Sequence, residues 1–423
     1  MVNWGLGLLV DKIRENKPKA RMAIIATCVI NLGVLFIFKY LGFVIRNINM
    51  AAGRRLIDFS GFALPLGISF YIFRSISYVI DVYRSNAKVE KSPFYVGLYI
   101  AFFPLIAAGP IVRYTEIAEQ IRCRKFTAKV FYEGCCQFIS GMGKKVLLAN
   151  AMAVIADQTF SLSALGHHVY NVPAMLAWIG LIAYTLQIFF DFSGYSEMAI
   201  GLGKMFGFEF PPNFDYPYIS KSMIEFWQRW HISLLKWFKE YVYIPLGASQ
   251  VTNNDHRIRN SFMMWLLIGI WHGAGWTFVL WGLWNFLFVM IERIIKWDSL
   301  KVSNFWRHVY LLIVVMIGWL FFRAVDFFQA AQYLLNMLGM NDNGFYSDTA
   351  VMFLREYWVF FLFALISCTP VLQKFGVLMK NGLMGIWGGI YNFFMPLGYL
   401  AVYIVCITFL VKENYNPFIY FNF

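Results

Sequence analysis

Ser261–Ile291 reads SFMMWLLIGIWHGAGWTFVLWGLWNFLFVMI, and across these thirty-one residues His272 is the only ionisable side chain. A stretch this long without Lys, Arg, Asp or Glu belongs in hydrocarbon, where about 20 apolar residues suffice for a helical span. A titratable group at that depth is costly and is by default a candidate functional residue. Imidazole is also the side chain best matched to taking and giving a proton near neutral pH. The competing reading is a buried structural histidine bonded to a carbonyl of a neighbouring helix. Gly269, Gly273 and Gly275 surround His272 and predict a broken helix. Broken backbone at membrane depth is tolerated only where protein or a wet cavity covers it. His272 is therefore expected to line a cavity.

The rest of the chain has the same character. Of 423 residues 60% are hydrophobic, 20% aromatic and only 14% charged, against roughly 25% charged in soluble domains. This predicts an all-α polytopic bundle, one integral membrane domain over residues 1–423. The net charge of +13 fits cytoplasmic loops facing anionic lipid rather than nucleic acid. Charge-poor runs at 22–38, 59–73, 93–112, 146–156, 172–190, 261–291, 309–322, 357–373 and 381–411 predict about nine to eleven membrane segments, some of them short of a full span. Lys and Arg are missing between Val146 and Gly203 and between Ala324 and Leu354, which puts the loops near 157–172 and 341–350 outside. Bases gather at 11–21, 84–91, 113–129, 221–239 and 293–307, the expected cytoplasmic side. On that map 93–112, with Pro104, Gly109 and Pro110, dips in and returns, as does 261–291.

The block 191–249 is different. DFSGYSEMAIGLGKMFGFEFPPNFDYPYIS mixes glycine, proline, aromatics and acids and is expected as a short helix, a loop and re-entrant backbone. EFWQRWHISLLKWFKEYVYIPLG (225–247) follows, with Arg229, Lys236 and Glu240 on one helical face and Trp227, Trp230, Leu234 and Phe238 on another. That periodicity predicts one interfacial amphipathic helix, with His231 turned away from its charged stripe. His231 and His272 thus form a pair on separate elements. His167, His168, His256 and His308 fall in loops or at a helix start and read as solvated surface.

Other chemistries find little support. The six cysteines show no CxxC pairing and read as packing residues, and no HExxH or Cys/His cluster provides a metal site. A bis-histidine haem would need both ligands on stable spanning helices. Ser193 lacks a GxSxG elbow. The acids Asp191 and Glu197 are expected to pair with Arg113, Arg229 or Lys204. A polysaccharide or lipid translocator is the competing class, but neither an inverted repeat nor paired intramembrane carboxylates are legible.

SFYIFRSISYVIDVYR (69–84), FFPLIAAGPIVRY (102–114), the block 191–247 and GIWHGAGWTFVLWGLWN (269–285) together resemble the membrane-bound O-acyltransferase family. They are most similar to its bacterial branch containing alginate and related cell-surface polysaccharide O-acetyltransferases. The resemblance implies a helical bundle of the bacterial cytoplasmic membrane with a central funnel. It makes His272 of the WHG motif the catalytic residue and His231 of the RWH motif the second family histidine. The implied co-substrate is acetyl-CoA or a related acyl-carrier thioester, with no bound cofactor and no metal. The acyl group would pass toward a polysaccharide acceptor with a separate extracytoplasmic esterase-like partner. Residues expected near the substrates are Trp271, Trp276 and Trp281 as tunnel walls, the bases Arg113, Arg229 and Lys236 toward the donor, and Asp191 and Tyr195. Relatives usually begin with further hydrophobic segments, so an N-terminal truncation or a late start is expected. NPFIYFNF (416–423) resembles the aromatic tail of the relay peptide used with D-alanyl transferases, which makes Tyr420 a candidate acyl acceptor or membrane anchor. D-alanylation of teichoic acid is accordingly the alternative within the family.

Overall fold

A chain this apolar must satisfy its backbone polar groups within each membrane segment, and helices do so. The computed structural model describes residues 1–124, 126–162, 172–248, 254–340, 342–380 and 385–412, together with Phe418. The helices are, in order, α1 (Val2–Ile13), α2 (Lys17–Ala51), α3 (Ile68–Tyr83), α4 (Pro93–Ile100), α5 (Tyr114–Arg122), α6 (Ala128–Leu162), α7 (Ala174–Met205), α8 (Met223–Arg229) and α9 (Ile232–Phe238). They continue with α10 (Asn254–His272), α11 (Trp276–Ile294), α12 (Asn304–Arg323), α13 (Phe327–Met337), α14 (Asp348–Ser367), α15 (Val371–Lys380) and α16 (Gly385–Lys412). Among the described residues there is no strand, and 7 helices (α2, α6, α7, α11, α12, α14 and α16) are long and apolar enough to cross a membrane.

Hydrogen bonds between loops sort the bundle into two ends that match the Lys/Arg map. At the base-rich end Arg84 and Arg113 reach Glu240, Trp297 Nε1 donates to the Lys221 carbonyl, and Arg14 donates to Ser85. At the base-poor end Trp178 Nε1 donates to the Met337 carbonyl, Ala174 N–H to Gly344, and Arg323 pairs with Asp157.

The principal seam joins α6 and α7. Gly134 and Gly141 on one helix face Gly201 and Gly194 on the other, so closely that a Cβ on Gly141 would lie 2.5 Å from the Gly194 carbonyl oxygen. Two ion pairs flank the seam: Lys145 Nζ to Asp191 Oδ1 at 2.6 Å and Lys144 Nζ to Glu197 Oε1 at 2.5 Å. This corrects the expectation of a break after Asp191. DFSGYSEMAIGLGKM continues α7 without interruption to Met205, because its acids are neutralised and its glycines are needed for close approach. The acids pair with these lysines and not with Arg113, Arg229 or Lys204.

Residues 93–112 are broken as expected: α4 ends at Ile100 and a single 3₁₀ turn follows at Phe103–Leu105. The freed carbonyls must find donors at depth. Arg74, wholly buried on α3, supplies them, donating to Tyr99 O at 3.2 Å, Ile100 O at 2.8 Å and Leu105 O at 2.6 Å. Helices α10 and α11 form a hairpin whose arms touch where Gly269 faces Gly282, a Cβ on either meeting main chain at 2.6 Å. Only Gly273–Gly275 form the break, so Gly269 serves packing and not the turn.

Candidate active site

His272 is the last residue of α10, and three carbonyls in that final turn are held from α2. A π-helical segment, Phe36–Tyr40, interrupts α2 there. It brings Tyr40 and Lys39 to the same helix end: Tyr40 donates to Ile270 O at 3.0 Å, and Lys39 Nζ donates to Trp271 O at 2.6 Å and His272 O at 3.1 Å. Carbonyls of a last turn have no partners within their own helix, so α2 completes α10 and fixes the height of His272.

The imidazole is packed by aromatic rings: Trp271 and Trp281 each with centroids at 4.8 Å, and Phe322 at 5.2 Å. It is 5% exposed, and with Trp271 it lines a cavity of about 210 Å³. The remaining wall is Lys39, Leu64–Phe70 and Ala107. Leu64–Phe70 leads into α3, whose other end meets the base-rich loops, so this cavity belongs to the base-poor end.

A second cavity, of about 350 Å³, lies between α8–α9 and the α10–α11 hairpin at the base-rich end. Trp227, Met264 and Trp265 line it, with Lys236, Lys239 and Arg293 around them. None of these three bases has an ion-pair partner among the described residues. Its wall continues inward: Trp227 lies 5.7 Å from Trp281, which touches His272. Trp227 is held by its Nε1 bond to Asn285 Oδ1 at 3.0 Å. Trp281 thus links Trp227 in the wall of the second cavity to His272 in the wall of the first by ring contacts.

His231 is built differently. The predicted continuous helix stops at Arg229, resumes at Ile232, and His231 between them adopts the left-handed region at φ 45°, ψ 52°. A non-glycine residue in that region is strained and needs support. Support comes from the loop before it: His231 Nδ1 donates to Asn213 Oδ1 at 3.1 Å, Ile232 N–H to Asn213 O, and Asp215 N–H to Arg229 O. Asn213 Oδ1 also accepts from Ser233 N–H and Oγ, which makes Nδ1 the protonated nitrogen. Nε2 is then an acceptor, buried without a hydrogen bond among the described residues. His231 lines neither cavity; Trp271 touches both histidines, at 6.4 Å and 4.8 Å. Glu292 pins this region by accepting from the first N–H groups of α8, Met223 at 2.6 Å and Ile224 at 3.0 Å, a helix N-terminus being favourable for a carboxylate.

Of the other expected site residues, Trp271 and Trp281 pack on His272, and Lys236 lines the base-rich cavity. Trp276 lies apart from both cavities: it is 52% exposed, donates to Asn47 Oδ1 at 2.8 Å and packs on Phe43. Arg113 is neutralised by Glu116 and Glu240, and Arg229 by Glu225 and Asp215, so both hold local structure. Asp191 is spent on Lys145 within the seam, and Tyr195 stacks on Phe418 at 4.9 Å. Tyr420, His167 and His168 lie outside the described residues. Lys39, Asn213 and Glu292 escaped notice. Lys39 was legible as an isolated charge one residue beyond the apolar run 22–38.

The comparisons agree with this architecture. Residues 79–328 match the membrane-bound O-acyltransferase family, and the chain belongs to that family of integral membrane O-acyltransferases. It is 40% identical over 344 residues to a probable alginate O-acetylase, AlgI, of Azotobacter vinelandii, covering 80% of this chain and 67% of that protein. A peptidoglycan O-acetyltransferase of Helicobacter pylori is 31% identical over 363 residues, 78% of this chain and 67% of the relative. A teichoic acid D-alanyltransferase of Bacillus subtilis is 28% identical over 269 residues, 59% and 65% of the two chains. The chain thus spans about two thirds of the length of these relatives.

Proposed function

We propose that this protein moves an acetyl group from a cytoplasmic thioester, acetyl-CoA or an acyl-carrier thioester, toward hydroxyls of an extracytoplasmic polysaccharide in the bacterial cytoplasmic membrane. The observation that carries the reading is His272 in the wall of one cavity, joined by ring contacts through Trp281 to Trp227 in the wall of a second, base-ringed cavity. Lys236, Lys239 and Arg293 match the phosphates of a CoA or phosphopantetheine donor, and the apolar wall of Trp227 and Trp265 matches its thin arm. The 40% identity to an alginate O-acetylase, against 28% to a D-alanyltransferase, favours acetyl as the cargo and a polysaccharide as the destination. An esterase-like protein on the far side is the partner this implies.

A thioester is already activated, so the protein must supply orientation, a base and exclusion of water. Neutral His272 takes the proton of the attacking hydroxyl as its oxygen bonds to the thioester carbon. The C–S bond then breaks, and the proton returns to the departing thiolate. Trp271 and Trp281 exclude water from the bond being transferred. His231, held by Asn213, orients Trp271 and through it the imidazole.

The test is thioester consumption by the purified chain in lipid vesicles with radiolabelled acetyl-CoA. Wild type should consume the thioester when a hydroxyl acceptor is present; no consumption would remove the reading. The double variant Lys236→Glu, Lys239→Glu should raise KM for the donor about tenfold or more by reversing two charges at its entrance, with kcat little changed. An unchanged KM would move the donor elsewhere.

A further inference from the structure

π-Helical turns are rare and recur at functional sites. The one at Phe36–Tyr40 brings Lys39 and Tyr40 to the end of α10. Closing that helix end needs only a neutral donor, as Tyr40 shows with its hydroxyl on Ile270 O. Lys39 adds a charge where charge is costly and by default functional. No carboxylate pairs with it among the described residues. Two carbonyls and the face of Trp271, 5.9 Å from Nζ, suit its ammonium. Those carbonyls engage two of its three N–H donors. The third has no acceptor among the described residues.

The place of that donor gives it a task. Lys39 and His272 line the same cavity, and Nζ lies 3.1 Å from the His272 carbonyl oxygen, only a few covalent bonds from the imidazole. The two side chains thus flank one small volume. When a hydroxyl adds to a thioester there, the base takes its proton and the carbonyl π pair moves onto the carbonyl oxygen. A donor already in place for that oxyanion is usually the largest single source of catalysis. Lys39 and His272 are the only titratable side chains among the described residues of this lining. With the imidazole acting as base, Lys39 is the cation left to meet the oxyanion.

We propose that Lys39 is a second catalytic residue, whose third N–H donates to the carbonyl oxygen of the acetyl thioester while His272 deprotonates the attacking hydroxyl. The new C–O bond forms as negative charge gathers on that oxygen. The oxyanion then collapses, the C–S bond breaks, and the imidazole's proton leaves with the thiolate. Lys39 keeps its own proton throughout. This rests on the acyl-transfer reading above.

The experiment compares two CoA thioethers on the full chain in nanodiscs, in the presence of a hydroxyl acceptor. The trifluoroacetonyl thioether readily takes up a hydroxyl to give a tetrahedral adduct, whereas the acetonyl thioether stays a planar ketone. Wild type should bind the first about a hundredfold or more tightly, as transition-state analogues do. Lys39→Met should lose most of that ratio while holding the planar ketone with unchanged affinity, and its kcat with acetyl-CoA should fall about 10²- to 10³-fold at little change in KM. Lys39→Arg, which keeps the charge, should retain part of the ratio. Lys39→Gln, which keeps a neutral donor for the carbonyls of α10, should lose the ratio while holding the thermal midpoint. No preference in wild type would overturn the proposal without any variant having to fold. A preference unchanged in Lys39→Met or Lys39→Gln would overturn it too. Equal loss of both thioethers in Lys39→Met, with a lowered thermal midpoint, would reduce Lys39 to a cap of α10. Consumption of radiolabelled acetyl-CoA by wild type separates the two claims: if it proceeds without the preference, the role of Lys39 fails alone, and if it is absent, the acyl-transfer reading fails as well.

Discussion

Replacing His272 with Asn is expected to lower acyl transfer by a factor of about 10² to 10⁴, the usual contribution of a positioned general base. His272 is the imidazole that lines the base-poor cavity and packs on Trp271 and Trp281. The other cavity-lining base, Lys39, is engaged with main-chain carbonyls, and His231 lines neither cavity. Among the described residues that line this cavity, no second group stands ready to take the hydroxyl proton. Asn is the informative replacement because it keeps a polar side chain of smaller volume within the ring of Trp271, Trp281 and Phe322. The thermal midpoint should therefore fall only modestly, and the loss should appear in kcat at matched membrane abundance. Transfer at wild-type rate would remove the general-base role. A loss matched by disappearance of the protein would make His272 a packing residue.

The second large effect concerns the scaffold. Gly194→Val is expected to prevent accumulation of folded protein, or to lower its thermal midpoint strongly in detergent. A Cβ at Gly194 would lie 2.7 Å from the Gly141 carbonyl oxygen and 3.0 Å from Lys145 N. Both are main chain and cannot turn aside. Overpacking of this kind costs about 1–3 kcal/mol by itself. Separation of α6 from α7 would also pull Lys145 from the buried Asp191. Breaking a buried ion pair adds about 3–5 kcal/mol. Together these approach the whole stability of an ordinary domain. Gly398→Val on α16 is the control, since a Cβ there meets nothing within 4 Å. Equal behaviour of the two variants would contradict the seam.

The features legible in the sequence were those that depend on burial or charge alone. A single imidazole in Ser261–Ile291 and the break at Gly273–Gly275 point to a cavity at His272, and the fold has His272 lining one. The asymmetry of Lys and Arg sorted the loops into the two ends that the hydrogen bonds then join. Distant partners hid the rest. DFSGYSEMAIGLGKM reads as loop because acids and glycines are poor in an isolated apolar helix. Lys144 and Lys145, some fifty positions earlier, and glycines on the facing helix reverse that preference. The amphipathic pattern of 225–247 passes through Trp230 and His231 unbroken. The left-handed turn there is stabilised by Asn213 and Asp215, which hydrophobic periodicity cannot reveal. Arg113 and Arg229 suit a donor contact by charge alone, but the fold sets Glu116 and Glu240 beside the first and Glu225 and Asp215 beside the second.

The most direct test of the central claim, that one imidazole stands between two compartments, uses sealed vesicles of known protein orientation. Radiolabelled acetyl thioester is supplied at the Lys236–Lys239 face, with the hydroxyl acceptor confined to the opposite side. The expected result is label on the sequestered acceptor in wild type and none with His272→Asn. Label appearing only when thioester and acceptor share one side would contradict it.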